Sequence, residues 1–411
     1  MSNETEPIPF HRPSIGLAER EAVIGVLDSG WLTMGSVTAE FEDAFARYVG
    51  TSYAVALNSA TAGLHLAFEG LDVGPDDEVI VPTYTFAASA ETVLYQRAHP
   101  VLVDVDVHTR NVDPACVAAA ITPQTKAVEV VHIGGLPADV AGVRAIAPGV
   151  PIVEDAAHAF PSPIASEGGK FAGTLGVAGA YSFYATKTIT TGEGGMLVTD
   201  DEALARRART MRLHGIGRDA WKRYSAAGSW YYEIEAPGFK DNPTDLASAL
   251  GLVQLARALE LRDARASIAG RYLDGLADAA RDGRIVLPPG GDGEEHAWHL
   301  FVVRLGPEAR PRDVADVDLP GVAGLPASLR RLASRRARAI EDLRSLGIGV
   351  SVHFIPLHLH PLYAQMGYRP GQFPNAEQAY AGAISLPIWP GMSDLQVDRV
   401  IEAVDRAARG S

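Results

Sequence analysis

The chain has 411 residues, 47% hydrophobic and 21% charged, enough to bury a large core and to form two domains in one continuous body. Its formal net charge of −14 excludes nucleic acid and anionic membrane as partners, because both require a basic face that displaces counterions. The single cysteine, Cys116, permits neither an internal disulfide nor a cysteine metal cluster, and is expected to pack as a small hydrophobe in a reducing compartment.

The opening residues, MSNETEPIPF, lack the basic start and apolar core of a secretion signal, and no later stretch approaches the ~20 uninterrupted apolar residues of a membrane helix. A cytoplasmic protein is expected. From about residue 53 to 200, the short apolar runs YAVAL, DEVIVP, HPVLVDVD, KAVEVVHI, PIVEDAA, AYSFYA and GGMLVTD alternate with helical patterns. Continuous Val/Ile runs separated by helices predict strands buried on both faces, hence a mostly parallel sheet wrapped by helices. Ligands of such sheets collect beyond the carboxyl ends of the strands, so the residues just after each run become candidates. After Asp200 the spacing turns helical, with one long helix expected from Thr244 to about Ala277. The strand-like runs HLFVVRL, IGVSVHFI and ISLPIWP then predict a smaller C-terminal α+β domain. The expected division is 1–258 and 259–411, with a surface insertion or mobile loop over 306–335.

Four strand ends carry chemistry. In NSATAGLHLAFEGL (58–71) small residues open a helix, whose free N–H groups and positive dipole end can hold a phosphate; tight packing is the plainer explanation of the same pattern. In PIVEDAAHA (151–159) Asp155 and Ala157 fall on one side of an extended strand, suiting a heterocycle that lies on the alanine and bonds the carboxylate through a ring nitrogen. An isolated aspartate there would more simply cap a helix. VPTYTF (81–86) offers Phe86 as a stacking ring or as a core aromatic. AYSFYATK (180–187) ends in Lys187, set among small polar residues and glycines that leave space for a ligand. Together these supply a phosphate cradle, an acid for a pyridinium nitrogen, an aromatic ring and an amine nucleophile, which is what pyridoxal phosphate requires of a protein.

The chain resembles the DegT/DnrJ/StrS family of sugar-nucleotide aminotransferases, of the fold-type-I class. The resemblance spans nearly the whole length through WLTMGSVTAEFE, NSATAGLHLAF, DEVIVPTYTFAASA, EDAAHA, SFYATKTITTGEGG, RLHGIG, GFKDNPTDLASALGLVQL, HAWHLFVVRL and GIGVSVHFIPLH. It implies Lys187 as the Schiff-base lysine and Asp155 as the partner of the pyridine nitrogen. Phe86 becomes the stacking ring, Ser182 and the Ala60–Thr61 turn the phosphate binders, with Ala157 and His158 beside the cofactor. It further implies a homodimer in which Lys240 and Asn242 reach the partner's site, and Thr33 and His353 as contacts to a nucleotide-linked keto-sugar, with L-glutamate as amino donor. His353, His358 and His360 are not expected to bind metal, because on a continuous strand His353 and His358 would face opposite ways and no acidic residue lies in the stretch.

Departures from the family pattern fall at Gly134 and Leu136, where many relatives carry tyrosine and glutamine. The lost bulk at 134 is expected to let the sugar ring turn over the cofactor. NSATAG, EDAAHA, GFKDNPTD and HAWHLF resemble the subset that places the amine at C4 of the sugar. A 3-aminotransferase, a keto-cyclitol aminotransferase and a non-catalytic cofactor-binding regulator are the alternatives, and the lysine argues against a sugar 3-dehydratase.

Overall fold

The valine-rich runs between residues 53 and 200 are the strands of one seven-stranded sheet. In the computed structural model, which describes residues 6–217, 231–290, 296–309 and 321–410, they are β1 (Tyr53–Leu57), β2 (Glu78–Pro82), β3 (His99–Val103), β4 (Thr125–Val131) and β5 (Ile152–Asp155), then β8 (Ala178–Ser182) and β9 (Gly195–Thr199). Between them β6 (Pro163–Ile164) and β7 (Lys170–Phe171) form a separate short ribbon. The sheet order is β1-β9-β8-β5-β4-β2-β3. β9 runs antiparallel to both its neighbours, and every other pairing in this sheet is parallel. Six strands therefore deliver their carboxyl ends to one edge.

Burial on both faces explains why these strands read as unbroken apolar runs. On one face Leu64, Leu66 and Phe68 of the helix Ala60–Gly70 pack with Val55, Val79 and Val153. On the other, Phe41 and Phe45 of the helix Ser36–Val49 meet Tyr181 and Phe183, and Val140 and Val143 of the helix Val140–Ile146 cover Val128 and Val130. Cys116 joins that last cluster, half-buried.

A second, antiparallel sheet holds β10 (Ile285–Val286), β11 (Phe301–Leu305) and β12 (Ala383–Leu386) in that order. The helices Ala258–Gly275, Ala327–Ser345 and Asp394–Arg409 build its core with Trp298, Phe301 and Ile384. Ile8, near the other end of the sequence, is buried in this same core and bridges Ile348.

Three expectations are corrected. The helix expected over 244–277 is two helices, Asp245–Ala256 and Ala258–Gly275. At Arg257 the N–H turns back to Gln254 O at 3.1 Å, and the guanidinium is held by Glu19 and Glu260. The expected strand IGVSVHFI shrinks to two isolated bridges, Ile348 to Ile8 and Ser351 to Ser385, after which Pro356 and Pro361, lacking N–H donors, carry the chain into short helical turns. Of the expected insertion, 310–320 lie outside the described residues, and 327–335 are not a loop but the first half of the helix Ala327–Ser345, with Ala333 buried against the Ala376–Tyr380 segment.

Candidate active site

Because the strands are parallel, residues distant in sequence meet where β1, β2, β5 and β8 end. There a cavity of about 380 Å³ is lined by Ser59, Ala60, Thr61, Phe86, Asp155, Ala157, His158, Ser182, Lys187 and His353, among others. These include nine of the twelve residues singled out from the sequence. The Ser59 hydroxyl caps the helix Ala60–Gly70 by accepting from Ala62 N at 3.1 Å. That leaves the N–H groups of Ala60 and Thr61, which a helix cannot satisfy internally, at the cavity wall. Gly195 on β9 packs so close behind this turn that a Cβ would collide with the Ser59–Ala60 backbone.

Asp155 closes β5 and is buried. Its Oδ1 accepts from Ala157 N and its Oδ2 from the Ser89 hydroxyl, both at 3.0 Å. Burial pushes this carboxyl up, opposed by those two donors and by the Lys187 charge. Lys187 follows β8 and is half-buried. Burial lowers its amine to about 8; Asp155 works against the drop and the Arg265 guanidinium adds to it. At pH 7 roughly one molecule in ten then carries a free amine, against about one in three thousand for an ordinary lysine. Burial together with the lysine also holds the His158 and His299 imidazoles far below their usual value, and His353 at about 4. The histidine side of the cavity is thus neutral, and its charged groups are Asp155, Lys187 and Glu193.

Phe86 is not a core aromatic. It is 59% exposed at the start of the helix Ala87–Tyr95, its ring 5.9 Å from that of Phe354. Thr33, Lys240 and Asn242 do not line the cavity of their own chain. Thr33 is exposed and pairs with Thr244. Lys240 is exposed, its ammonium on the Asn242 side chain, while its carbonyl accepts from Asn58 beside the helix cap. His353 bonds Ser385 Oγ through Nδ1 at 2.8 Å, whereas His358 is held by Thr83 and Glu377.

Gly134 corrects the steric argument made from its sequence. It is buried, does not line the cavity, and has φ of +68°, a conformation that favours glycine. Its N–H points instead at His158 Nδ1, 3.3 Å away, so its reach into the cavity runs through that ring. The sequence argument missed Ser89, Tyr184 and Glu193, and also His299, whose ring lies 4.5 Å from His158. His299 was within reach through HAWHLF; Ser89, in the first turn of the helix Ala87–Tyr95, carries no local signal.

A mostly parallel sheet with an amine, an acid and a helix terminus converging at its carboxyl edge is the architecture of fold-type-I aminotransferases. Comparison with known proteins narrows this. The sequence model of the DegT/DnrJ/EryC1/StrS aminotransferase family matches residues 13–319 and 321–405. The spore coat polysaccharide biosynthesis protein SpsC of Bacillus subtilis is 43% identical over 407 residues, 98% of each chain. Among solved structures, Spr1654 of Streptococcus pneumoniae, assigned as a sugar aminotransferase and solved in a PLP-form, superposes with a TM-score of 0.85 at 31% identity, over 98% of this chain and 99% of that one. The aminotransferase TlmJ of Streptoalloteichus hindustanus gives 0.83 at 34%, over 98% of both chains. The chain belongs to the DegT/DnrJ/EryC1/StrS aminotransferase family and is an aminotransferase with pyridoxal 5′-phosphate as its cofactor. Among the described residues no helix is long and apolar enough to cross a membrane.

Proposed function

We propose that the protein moves an amino group from L-glutamate to C4 of a nucleotide-linked 4-keto-(6-deoxy)sugar, yielding a 4-amino-4-deoxy sugar nucleotide. One observation carries the reading: the Lys187 amine, depressed to about 8, shares a cavity with the Asp155 carboxylate and the capped start of the helix Ala60–Gly70. The donor set fits pyridoxal phosphate at each end. The N–H groups of Ala60 and Thr61 and the Ser182 hydroxyl hold the phosphate. Asp155 would accept the hydrogen bond of the protonated ring nitrogen, and Ala157, Phe86 and His158 are the cavity residues that would pack on the ring. When bound, the cofactor supplies an aldehyde that takes up the amino group and a protonated ring that delocalises electrons.

Lys187 then does the protein's own chemistry. With the cofactor bound, its Nζ would be the amine that tethers the group and, once released as a free base, the group that would hold and move the proton of the donor's α-carbon. The low proton affinity of the amine suits it to this work near neutral pH. His353, on the cavity wall, contacts the sugar nucleotide, and Thr33, outside the cavity of its own chain, is assigned to that ligand by family resemblance alone.

A sugar acceptor is supported by SpsC, a polysaccharide biosynthesis protein, and by Spr1654, assigned as a sugar aminotransferase. C4 is supported by the NSATAG, EDAAHA, GFKDNPTD and HAWHLF segments. The working form is a cytoplasmic homodimer in which Lys240 and Asn242 complete the partner's site. Exposed Leu17, Ile24 and Leu27 on the helix Leu17–Ser29 support a covered surface of that kind. The test has two stages. Adding L-glutamate to holoenzyme should convert the cofactor's visible absorption, which a non-catalytic binder would leave unchanged. Offered a nucleotide-linked 4-keto-6-deoxyhexose and its 3-keto isomer under equal conditions, the loaded enzyme should aminate the first, and preference for the second refutes the C4 assignment.

A further inference from the structure

Glu129, on β4, is fully buried, and neither of its carboxyl oxygens has a hydrogen-bond partner. The fold is able to satisfy a buried glutamate, as Glu154 on the adjacent strand demonstrates. That side chain accepts from the N–H groups of Gly173, Leu175 and Gly176 and bonds His132 Nε2. The two acids face opposite ways. Glu129 is opposite Val153 and Val131 opposite Asp155, so strand alternation puts Glu129 and Asp155 on one face of the sheet, diagonal across neighbouring strands. A two-residue rise of ~6.6 Å and a strand spacing of ~4.8 Å put such neighbours ~8 Å apart.

Other groups complete the surroundings. The helix Ala87–Tyr95 supplies Ser89, which donates to Asp155 Oδ2 and also bonds Thr85 Oγ1 at 2.8 Å. The short helix Pro361–Gln365 supplies Tyr363, whose buried hydroxyl likewise lacks a partner. No cation faces Glu129 from these elements: burial and Asp155 both push its carboxyl up, only the Ser89 hydroxyl, already committed to Asp155 and Thr85, opposes this, and Tyr363 lies in the combined field of Glu91 and Glu129. A carboxylate with no donor, beside a second carboxylate, is not stable in such a place. Asp155, with two donors and the Lys187 ammonium, is the member of the pair that can hold the charge.

We propose that Glu129 is a positioning residue for transamination: a neutral carboxylic acid coupled to Asp155, which leaves Asp155 the only anion of the pair and thereby sets how firmly Asp155 holds the ring-nitrogen proton. The inference rests on the reading of Asp155 as the ring-nitrogen partner. Two carboxyls at this distance share one proton balance, so ionising either raises the proton affinity of the other. At an effective dielectric of ~20 the coupling amounts to about one to two pH units.

Infrared difference spectroscopy on holoenzyme tests this. Wild type minus Glu129→Gln at pH 7 should contain a protonated-carboxyl C=O band that shifts in D2O; Glu129→Leu provides the same blank should the glutamine variant fold poorly. With Asp155→Asn as background, the band should vanish at a pH about one to two units lower than in the wild-type background. Absence of the band means that Glu129 is ionised and overturns the proposal. A band that persists to the same pH in both backgrounds means an uncoupled buried acid and overturns it equally. The Asp155 reading fails separately, if the cofactor's visible spectrum is indifferent to Asp155→Asn.

Discussion

Replacing Lys187 by methionine should abolish turnover yet stabilise the cofactor-free protein. The unfolded chain keeps its lysine proton up to about pH 10.5, whereas the folded chain releases it near 8. Between those values the unfolded state binds more protons, so wild-type stability rises with pH across that window. Below it the folded protein carries the whole penalty of housing an ammonium in a dehydrated cavity. At ~1.4 kcal/mol per pH unit the penalty reaches about 3 kcal/mol, and water entering the open cavity brings the expected value to about 1–3 kcal/mol. Methionine retains the aliphatic volume and removes the charge. For a chain of this size the gain corresponds to a melting temperature about 1–4 °C higher. Differential scanning calorimetry of both apoproteins from pH 7 to 10.5 checks it. The gain should be complete below pH 8 and gone by 10.5. A variant no more stable than wild type at pH 7, or a gain that does not shrink through that window, refutes the claim that burial depresses this amine.

Three other outcomes follow from the same geometry. Asp155→Asn should bind cofactor but lose about a hundredfold or more in turnover, since a neutral amide cannot hold the ring-nitrogen proton; near-normal rates would mean that the carboxylate only caps the turn at Ala157. Gly195→Ala should drive a Cβ into the Ser59–Ala60 backbone at a cost of ~1–3 kcal/mol, weakening cofactor binding about tenfold in a fluorescence titration, and unchanged affinity would separate that turn from the phosphate. Mixing Lys187→Ala subunits with subunits altered at Lys240 and Asn242 should restore one of the two sites in each hybrid dimer, about a quarter of all sites after equal random exchange, measured as turnover. No recovery despite exchange would show that each site is built from one chain.

Local chemistry was enough to read the sheet from the sequence, and to expect Lys187, Asp155 and the Ala60–Thr61 turn at one edge of it. Unbroken Val/Ile runs need apolar cover on both faces, and a lysine, an aspartate and a small-residue helix start after three such runs must meet if the strands are parallel. Gly134 looked from the sequence like lost bulk in the cavity; its positive φ and its hydrogen bond to His158 are properties of a folded turn, invisible to composition. The break at Arg257 is another tertiary decision, since nothing local forbids a continuous helix there and the side chain is claimed by Glu19, more than two hundred residues earlier. Glu129 reads as one polar residue in an apolar strand. Only the β4–β5 register, which sets it diagonal to Asp155, and a core that offers its oxygens no donor turn it into a candidate part of the reaction, because pairing across strands is decided by the whole sheet and not by either segment.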